Sequence, residues 1–179
     1  MAYALVGTIG TAVQGAAGAT VNPTFGTGES RTAGNLLICF VSACNTANST
    51  IAVPSGWTSG FTNPSPVGAS VSLGLFYKIA AGSDAAPSVV APIGTAVMAA
   101  QLAEFSGNGT TKDQDGFQAG TTQPQTATAG GADAASGELL IIVSGDFRSV
   151  ARASSDTLTS NHGTVTQAGS NNGTSSVNH

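Results

Sequence analysis

Two acidic residues are the first candidates for catalysis. Hydrolysis of a glycosidic bond needs two carboxyl groups that flank the bond. Glu104 and Glu138 are the best such pair, because each lies on or beside a predicted strand. Each is more simply explained as a carboxylate at the end of a strand, and nothing in the sequence brings the two together. A polysaccharide-cleaving enzyme is therefore an alternative, and the lack of a positioned acid pair counts against it.

A short acidic motif resembles the start of a calcium-binding loop. Asp113 and Asp115 alternate along a chain that turns at Gly116, so that both carboxylates could approach one cation. The fifth and twelfth positions of such a loop should supply oxygen ligands, but Phe117 and Pro124 stand there. The pattern favours an ordinary turn, and the sequence leaves open whether Asp113 and Asp115 bind a cation.

The cysteines and histidines do not form a recognisable site. Cys39 and Cys44 are five residues apart on one predicted strand, which places their side chains on opposite faces. We expect two buried free thiols, since cysteine packs as a small apolar residue. His162 lies in the polar stretch SNHGTV and His179 is the last residue. We therefore predict no catalytic residue, no metal and no cofactor.

The single tryptophan follows a tight turn. Trp57 comes directly after Pro54, Ser55 and Gly56, and this position predicts a role in closing one end of the core. The alternative is a carbohydrate-binding module in which Trp57 and Phe61 stack on a cell-surface glycan.

The composition excludes some classes of partner. Only 8% of the 179 residues are charged, the net charge is −4, and the five basic residues are scattered. No dense cationic patch for nucleic acid can be formed from them. No apolar run approaches the length that spans a bilayer. The 41% apolar content is enough for one sizeable core.

The strongest structural signal is an apolar segment that occurs twice. GNLLICFVSAC at 34–44 and GELLIIVSGDF at 137–147 both read as strands covered on both faces. Val71, Leu73, Leu75, Tyr77 and Ile79 alternate with other residues and predict a strand with one apolar face. Turn signals recur about every ten residues, and no helical period is found. We predict an all-β, antiparallel, two-sheet β-sandwich with jelly-roll-like connections and an internal duplication.

The predicted boundaries follow from the same pattern. Residues 1–147 form the β-sandwich domain, and residues 148–179 form a polar C-terminal segment that is extended, makes contacts or completes the sandwich. The second copy of the repeat is not followed by an alternating strand like 71–79. The native chain could continue past His179, a neighbouring subunit could supply strands, or the tail could be disordered. We favour the first two.

The N-terminal residues do not have the features of a secretory signal. The first basic residue is Arg31, and polar residues interrupt the apolar stretch at 2–13, whereas a signal peptide begins with positive charge. We expect the protein to be made without a signal peptide.

Four blocks together carry a family resemblance. AGNLLICFVSA, TIAVPSGWT, SLGLFYKIAAGSD and MAAQLAEFSG, within 33–107, resemble a β-sandwich module of bacteriophage virion proteins of the tail, fibre and capsid surface. The resemblance implies a non-enzymatic structural protein on the virion surface. Its partners would be other virion subunits, in a homo-oligomer or repeated assembly. No catalytic residue is implied.

Overall fold

The computed structural model describes residues 3–16, 18–45, 49–61, 66–67, 71–92, 94–107, 139, 141, 146–147 and 177–178. Within these ranges the regular secondary structure consists of β-strands alone. Every strand pair is antiparallel, which confirms the predicted all-β, antiparallel class. The strands are β1 (Ala4–Val6), β2 (Val13–Ala16), β3 (Thr20–Val21), β4 (Leu36–Asn45), β5 (Thr58–Ser59), β6 (Pro66–Val67), β7 (Val71–Ile79), β8 (Val89–Val90), β9 (Thr95–Ser106), β10 (Asp146–Phe147) and β11 (Val177–Asn178).

The main sheet is built around three long strands. The repeated apolar segment forms β4, which pairs with β7 on one side and with β9 on the other. The short strands β1 and β2 pair with β9 at one edge, and β5 and β6 pair with β7 at the other. Two separate two-stranded sheets, β3 with β8 and β10 with β11, complete the described strands. The central position of β4 agrees with its apolar sequence.

One face of the main sheet carries the described hydrophobic core. We call it the core face, and on β4 it consists of Leu37, Cys39, Val41 and Ala43, all fully buried. Phe76 of β7 and Leu102 of β9 lie beside Cys39 in the register of the sheet. The core face is covered by residues from β3, β8 and the loops, namely Val21, Phe25, Ile51, Trp57, Ala86, Val89 and Ala91.

The other face of the main sheet, the opposite face, is also apolar. On β4 it includes Leu36, Ile38 and Phe40. The alternating set from Val71 to Ile79 belongs to this face, and its members from Leu73 onward are only partly buried. The sequence pattern located an apolar face of β7 correctly. It did not show that Phe76, on the core face, is the most completely buried large side chain of that strand.

Close backbone packing fixes the edge of the sheet beside β1 and β2. Residues 7–10 interrupt the N-terminal strand, and they run against residues 24–28. Thr8 N–H donates to the Thr27 carbonyl at 3.0 Å, and Thr27 N–H donates to Thr8 Oγ1 at 3.0 Å. A Cβ added at Gly10 or Gly26 would lie well inside 3.0 Å of a backbone carbonyl oxygen. Glycine is therefore required at both positions for steric reasons.

The predicted domain boundary after residue 147 remains a prediction. β10 ends at Phe147, and it pairs with β11 near the C-terminus, with Phe147 opposite Val177. The greater part of the predicted duplication at 137–147 and of the polar segment at 148–179 lies outside the described residues.

Candidate functional site

The most concentrated chemistry of the described residues is a charged cluster at one end of the core face. It consists of Glu29, Arg31, Lys78, Asp84 and Glu104. The strands position two of these residues, since Leu37 of β4 lies between Lys78 of β7 and Glu104 of β9 in the register. Lys78 and Glu104 are thus on the same face but two strand spacings, roughly 10 Å, apart. They do not form a direct ion pair.

Glu104 holds the loop that precedes β4. Its side chain is 0% exposed. Its Oε2 accepts a hydrogen bond from Arg31 N–H at 2.8 Å. Its Oε1 accepts from Thr32 N–H at 2.9 Å and from Asn35 Nδ2 at 2.6 Å. Each carboxylate oxygen therefore has at least one donor, and the carboxylate is used to fix the backbone.

The hydrogen bonds keep Glu104 ionised. Burial by itself raises the pKa of this carboxyl group, because a charged group is poorly solvated in the interior. The donors from Asn35, Arg31 and Thr32 outweigh burial, so the pKa of Glu104 is lowered from 4.5. A general acid needs the opposite shift, towards a proton held near neutral pH. In this geometry Glu104 acts as a hydrogen-bond acceptor.

Arg31 and Asp84 link the same loop to the turn after β7. Arg31 has a left-handed backbone with φ of 51°, a conformation that costs energy for a residue other than glycine. Its guanidinium donates to the Asp84 carbonyl at 3.0 Å and lies 5.1 Å from the centre of the Phe25 ring. Asp84 forms an ion pair with Lys78 and accepts a hydrogen bond from Ala81 N–H. The pKa of Asp84 is lowered, because these partners outweigh the effect of burial.

Glu29 is the member of the cluster whose carboxylate is hydrogen-bonded on one oxygen only. Its Oε2 accepts from Gly26 N–H at 2.5 Å, while its Oε1 is buried without a hydrogen-bond partner. Burial raises its pKa above 4.5, and the negative charge of Glu104 adds to this rise. The ionised form of Glu29 is therefore disfavoured in the folded chain.

Replacing Glu29 with glutamine is expected to stabilise the protein slightly at pH 7. An acid whose pKa is raised by folding loses stability as the pH rises through its folded pKa, and glutamine removes this loss. Because Glu29 is partly exposed, the gain should be less than about 1 kcal/mol. It should disappear below pH 4.5, the ordinary pKa. Urea unfolding of wild type and variant at pH 7 and at pH 4 measures this gain in the free energy of unfolding. A Glu29→Gln variant that is less stable at pH 7 and equally stable at pH 4 would contradict this sign.

The predicted aromatic residues have different environments. Trp57 is 8% exposed and belongs to the core cluster, with Lys78 Nζ 5.9 Å from the ring centre. Phe61 is partly buried, and Ser59 Oγ donates to its carbonyl at 2.8 Å. A sugar needs an accessible aromatic face, which Trp57 does not present. Sugar stacking by Trp57 and Phe61 stays a prediction, and the burial of Trp57 does not favour it.

The two cysteines have the arrangement that their spacing predicts. Both are free and buried. Cys39 lies on the core face and Cys44 on the opposite face, as their register partners Phe76 and Val71 show. Burial raises the pKa of Cys39 to about 12 and also raises the pKa of Cys44. Since the thiolate is the reactive form, both thiols are protected in the folded chain.

Several predicted residues lie outside the described residues. They are Asp113, Asp115, Glu138, His162 and His179. The described residues therefore test neither the pairing of Glu104 with Glu138 nor the cation-binding motif. Within the described ranges, no group of three or more acidic, cysteine or histidine side chains is placed to hold a metal. No helix in the same ranges is long and apolar enough to cross a membrane.

The sequence indicates Glu104 but not the rest of the charged cluster. Glu29 and Arg31 precede β4, whereas Lys78 and Asp84 belong to β7 and the turn after it, and the two pairs come close to Glu104 because β4, β7 and β9 are neighbours. The sequence does contain a signal for this cluster. A charge within an apolar strand, such as Glu104, requires a partner, and the nine acidic and five basic residues of the chain leave few candidates.

Comparisons with known proteins found no match. No protein family, no curated protein and no solved structure was found to be similar to this chain.

Proposed function

We propose that the chain is a non-enzymatic structural component of a phage virion, on the tail, fibre or capsid surface, that acts through contacts between subunits. The observation that supports this proposal best is that the side chains of the charged cluster bind backbone groups of the same chain. Glu104 and Asp84 both accept backbone hydrogen bonds, and Arg31 donates to a backbone carbonyl. These groups hold loops to the sheet, as a structural role requires.

The sheet itself is consistent with this proposal. The blocks that resemble the phage module correspond to β4, the turn at Trp57, β7 and β9, which together make the centre of the main sheet. We propose that the remaining strands close a two-sheet sandwich with jelly-roll-like connections. The low content of charged residues, 8%, suits a surface that packs against other copies with little desolvation of charge.

Other virion subunits, in a homo-oligomeric or repeated arrangement, are the partners that this proposal requires. Nucleic acid is not among them, because the basic residues are few and scattered, and a membrane is not among them, because no apolar run approaches the length that spans a bilayer. The protein would be made in the host cytoplasm and would reach the virion surface by assembly.

Localisation on purified particles tests the proposed function. Antibodies against the folded recombinant protein should label phage particles at a fixed position, seen by immunogold electron microscopy, and the intact protein should be found by mass spectrometry in particles purified on a density gradient. A lysate from cells that carry the phage but make no particles is the control. Absence of the protein from purified particles, with recovery only in the soluble fraction, would reject the proposal.

A further inference from the structure

We infer that the opposite face of the main sheet is a docking surface for the second half of the same chain, through Leu139, Ile141, β10 and β11. This inference goes beyond the proposed function and does not depend on it, since it concerns which part of the chain covers the sheet.

The chemistry of the opposite face requires an apolar partner. Along β4, β7 and β9 this face carries fifteen positions and no charged side chain. They are Leu36, Ile38, Phe40, Ser42, Cys44, Val71, Leu73, Leu75, Tyr77, Ile79, Val97, Ala99, Gln101, Ala103 and Phe105. An apolar area of this extent is unfavourable in water and marks a contact surface.

The burial on this face is uneven and is most complete at the small side chains of β4 and β9. Ser42 and Cys44 of β4 and Ala99 and Ala103 of β9 are at most 1% exposed. Larger side chains of all three strands remain partly exposed, namely Leu73, Leu75, Tyr77 and Ile79 of β7, Leu36 and Phe40 of β4, and Val97, Gln101 and Phe105 of β9. Small side chains such as Ser42 and Ala99 cannot bury themselves, so another part of the chain must lie over β4 and β9.

The burial also identifies the occupant as the same chain. It is complete for Ser42, Ala99 and Ala103 in a single copy, so no second copy is needed. The described residues that cover the core face lie between Val21 and Ala91, before β9 begins, which leaves the later part of the chain for the opposite face.

Described residues of the second half lie in the required place. β11 runs close to both β4 and β9, the two strands whose small side chains are fully covered. It pairs with β10, which begins five residues after Ile141. Leu139 and Ile141 are both partly buried, and their spacing of two puts them on one face of an extended segment. In the inferred arrangement, Leu139 and Ile141 of the second apolar repeat lie over the opposite face together with β11.

The two cysteines provide a test that distinguishes the faces. Cys44 reports on the opposite face, and Cys39 reports on the core face. In full-length protein with one cysteine at a time, made with Cys39→Ala or Cys44→Ala, the rate of labelling by a maleimide measures how often each face opens. Leu139→Asp and Ile141→Asp should speed labelling of Cys44 about tenfold or more, because a charge cannot be buried against an apolar face. Labelling of Cys39 should stay within about twofold.

Controls separate this result from loss of folding. Val53→Asp changes an apolar residue that is 43% exposed, and it should affect neither cysteine. If the aspartate variants label both cysteines faster, Leu139→Ser and Ile141→Ser repeat the comparison with a milder change. Equal rates at both cysteines in these variants, or an unchanged rate at Cys44, would overturn the inference. Protection of Cys44 that falls on dilution, together with a dimer in light scattering, would assign the surface to a second copy and would also overturn it.

Discussion

Gly26→Ala is expected to lower the free energy of unfolding by about 3 kcal/mol, the upper end of the usual cost of overpacking. The added methyl would occupy the space of the Thr8 carbonyl group, with Thr8 Oγ1 also within 3.0 Å. Backbone atoms cannot turn away as a flexible side chain can. The segment at 24–28 must therefore separate from residues 7–10, which breaks the three hydrogen bonds between Thr8 and Thr27.

Chemical denaturation followed by Trp57 fluorescence measures this loss, since Trp57 is buried in the core. Gly18→Ala is the matched control, because Gly18 has φ of +73° and no atom within 4 Å of an added Cβ. It should cost about 1 kcal/mol, the price of a left-handed backbone for alanine. Gly10→Ala should behave like Gly26→Ala, as Thr24 blocks it in the same way. Equal losses for Gly18 and Gly26 would show that the close backbone approach does not matter.

Glu104→Gln is expected to destabilise the protein by about 2 kcal/mol at pH 7, and Glu104→Ala by more. Glutamine has one acceptor oxygen, whereas the carboxylate accepts from donors on both oxygens. One buried N–H group then faces an amide NH₂, and a buried donor without a partner costs about 1–3 kcal/mol. Alanine leaves the N–H groups of Arg31 and Thr32 and the Asn35 amide without their acceptor.

The pH dependence of Glu104→Gln gives a second readout. The pKa of Glu104 is lower in the folded chain than the ordinary 4.5. Its charge therefore stabilises the folded chain above pH 4.5, and this contribution is lost as the pH falls through the folded pKa. The difference between wild type and Glu104→Gln should thus be largest at neutral pH and shrink in acid. Glu29→Gln is the control, since its effect at pH 7 has the opposite sign. A difference independent of pH would contradict the role of the charge.

The strand pattern of the first half could be predicted from the sequence because its signals are local. The apolar run of β4, the alternation of β7 and the length of β9 each follow from a few neighbouring residues. The N-terminal strand was only partly predicted. It divides into β1 and β2 because residues 7–10 pack against a loop some seventeen residues later, and no local pattern encodes such a contact.

The candidate site was less predictable for the same reason. Glu104 attracts attention as a charge in an apolar strand, but its acceptor role depends on the path of residues 31–35. That path includes a left-handed Arg31, which sequence propensities do not anticipate. Trp57 beside a turn was correctly assigned to the core, since a large aromatic side chain near a strand end has few other favourable positions.

The contact between Thr8 and Thr27 also has a consequence for assembly. A sheet edge with free N–H and C=O groups can recruit another strand, and this is how sheets grow into fibres. In the break between β1 and β2, the Thr8 N–H already donates to the Thr27 carbonyl, and Thr8 Oγ1 accepts from Thr27 N–H. Growth in this direction requires these residues to leave first. The contact between Thr8 and Thr27 therefore protects this point of the edge against the addition of another strand.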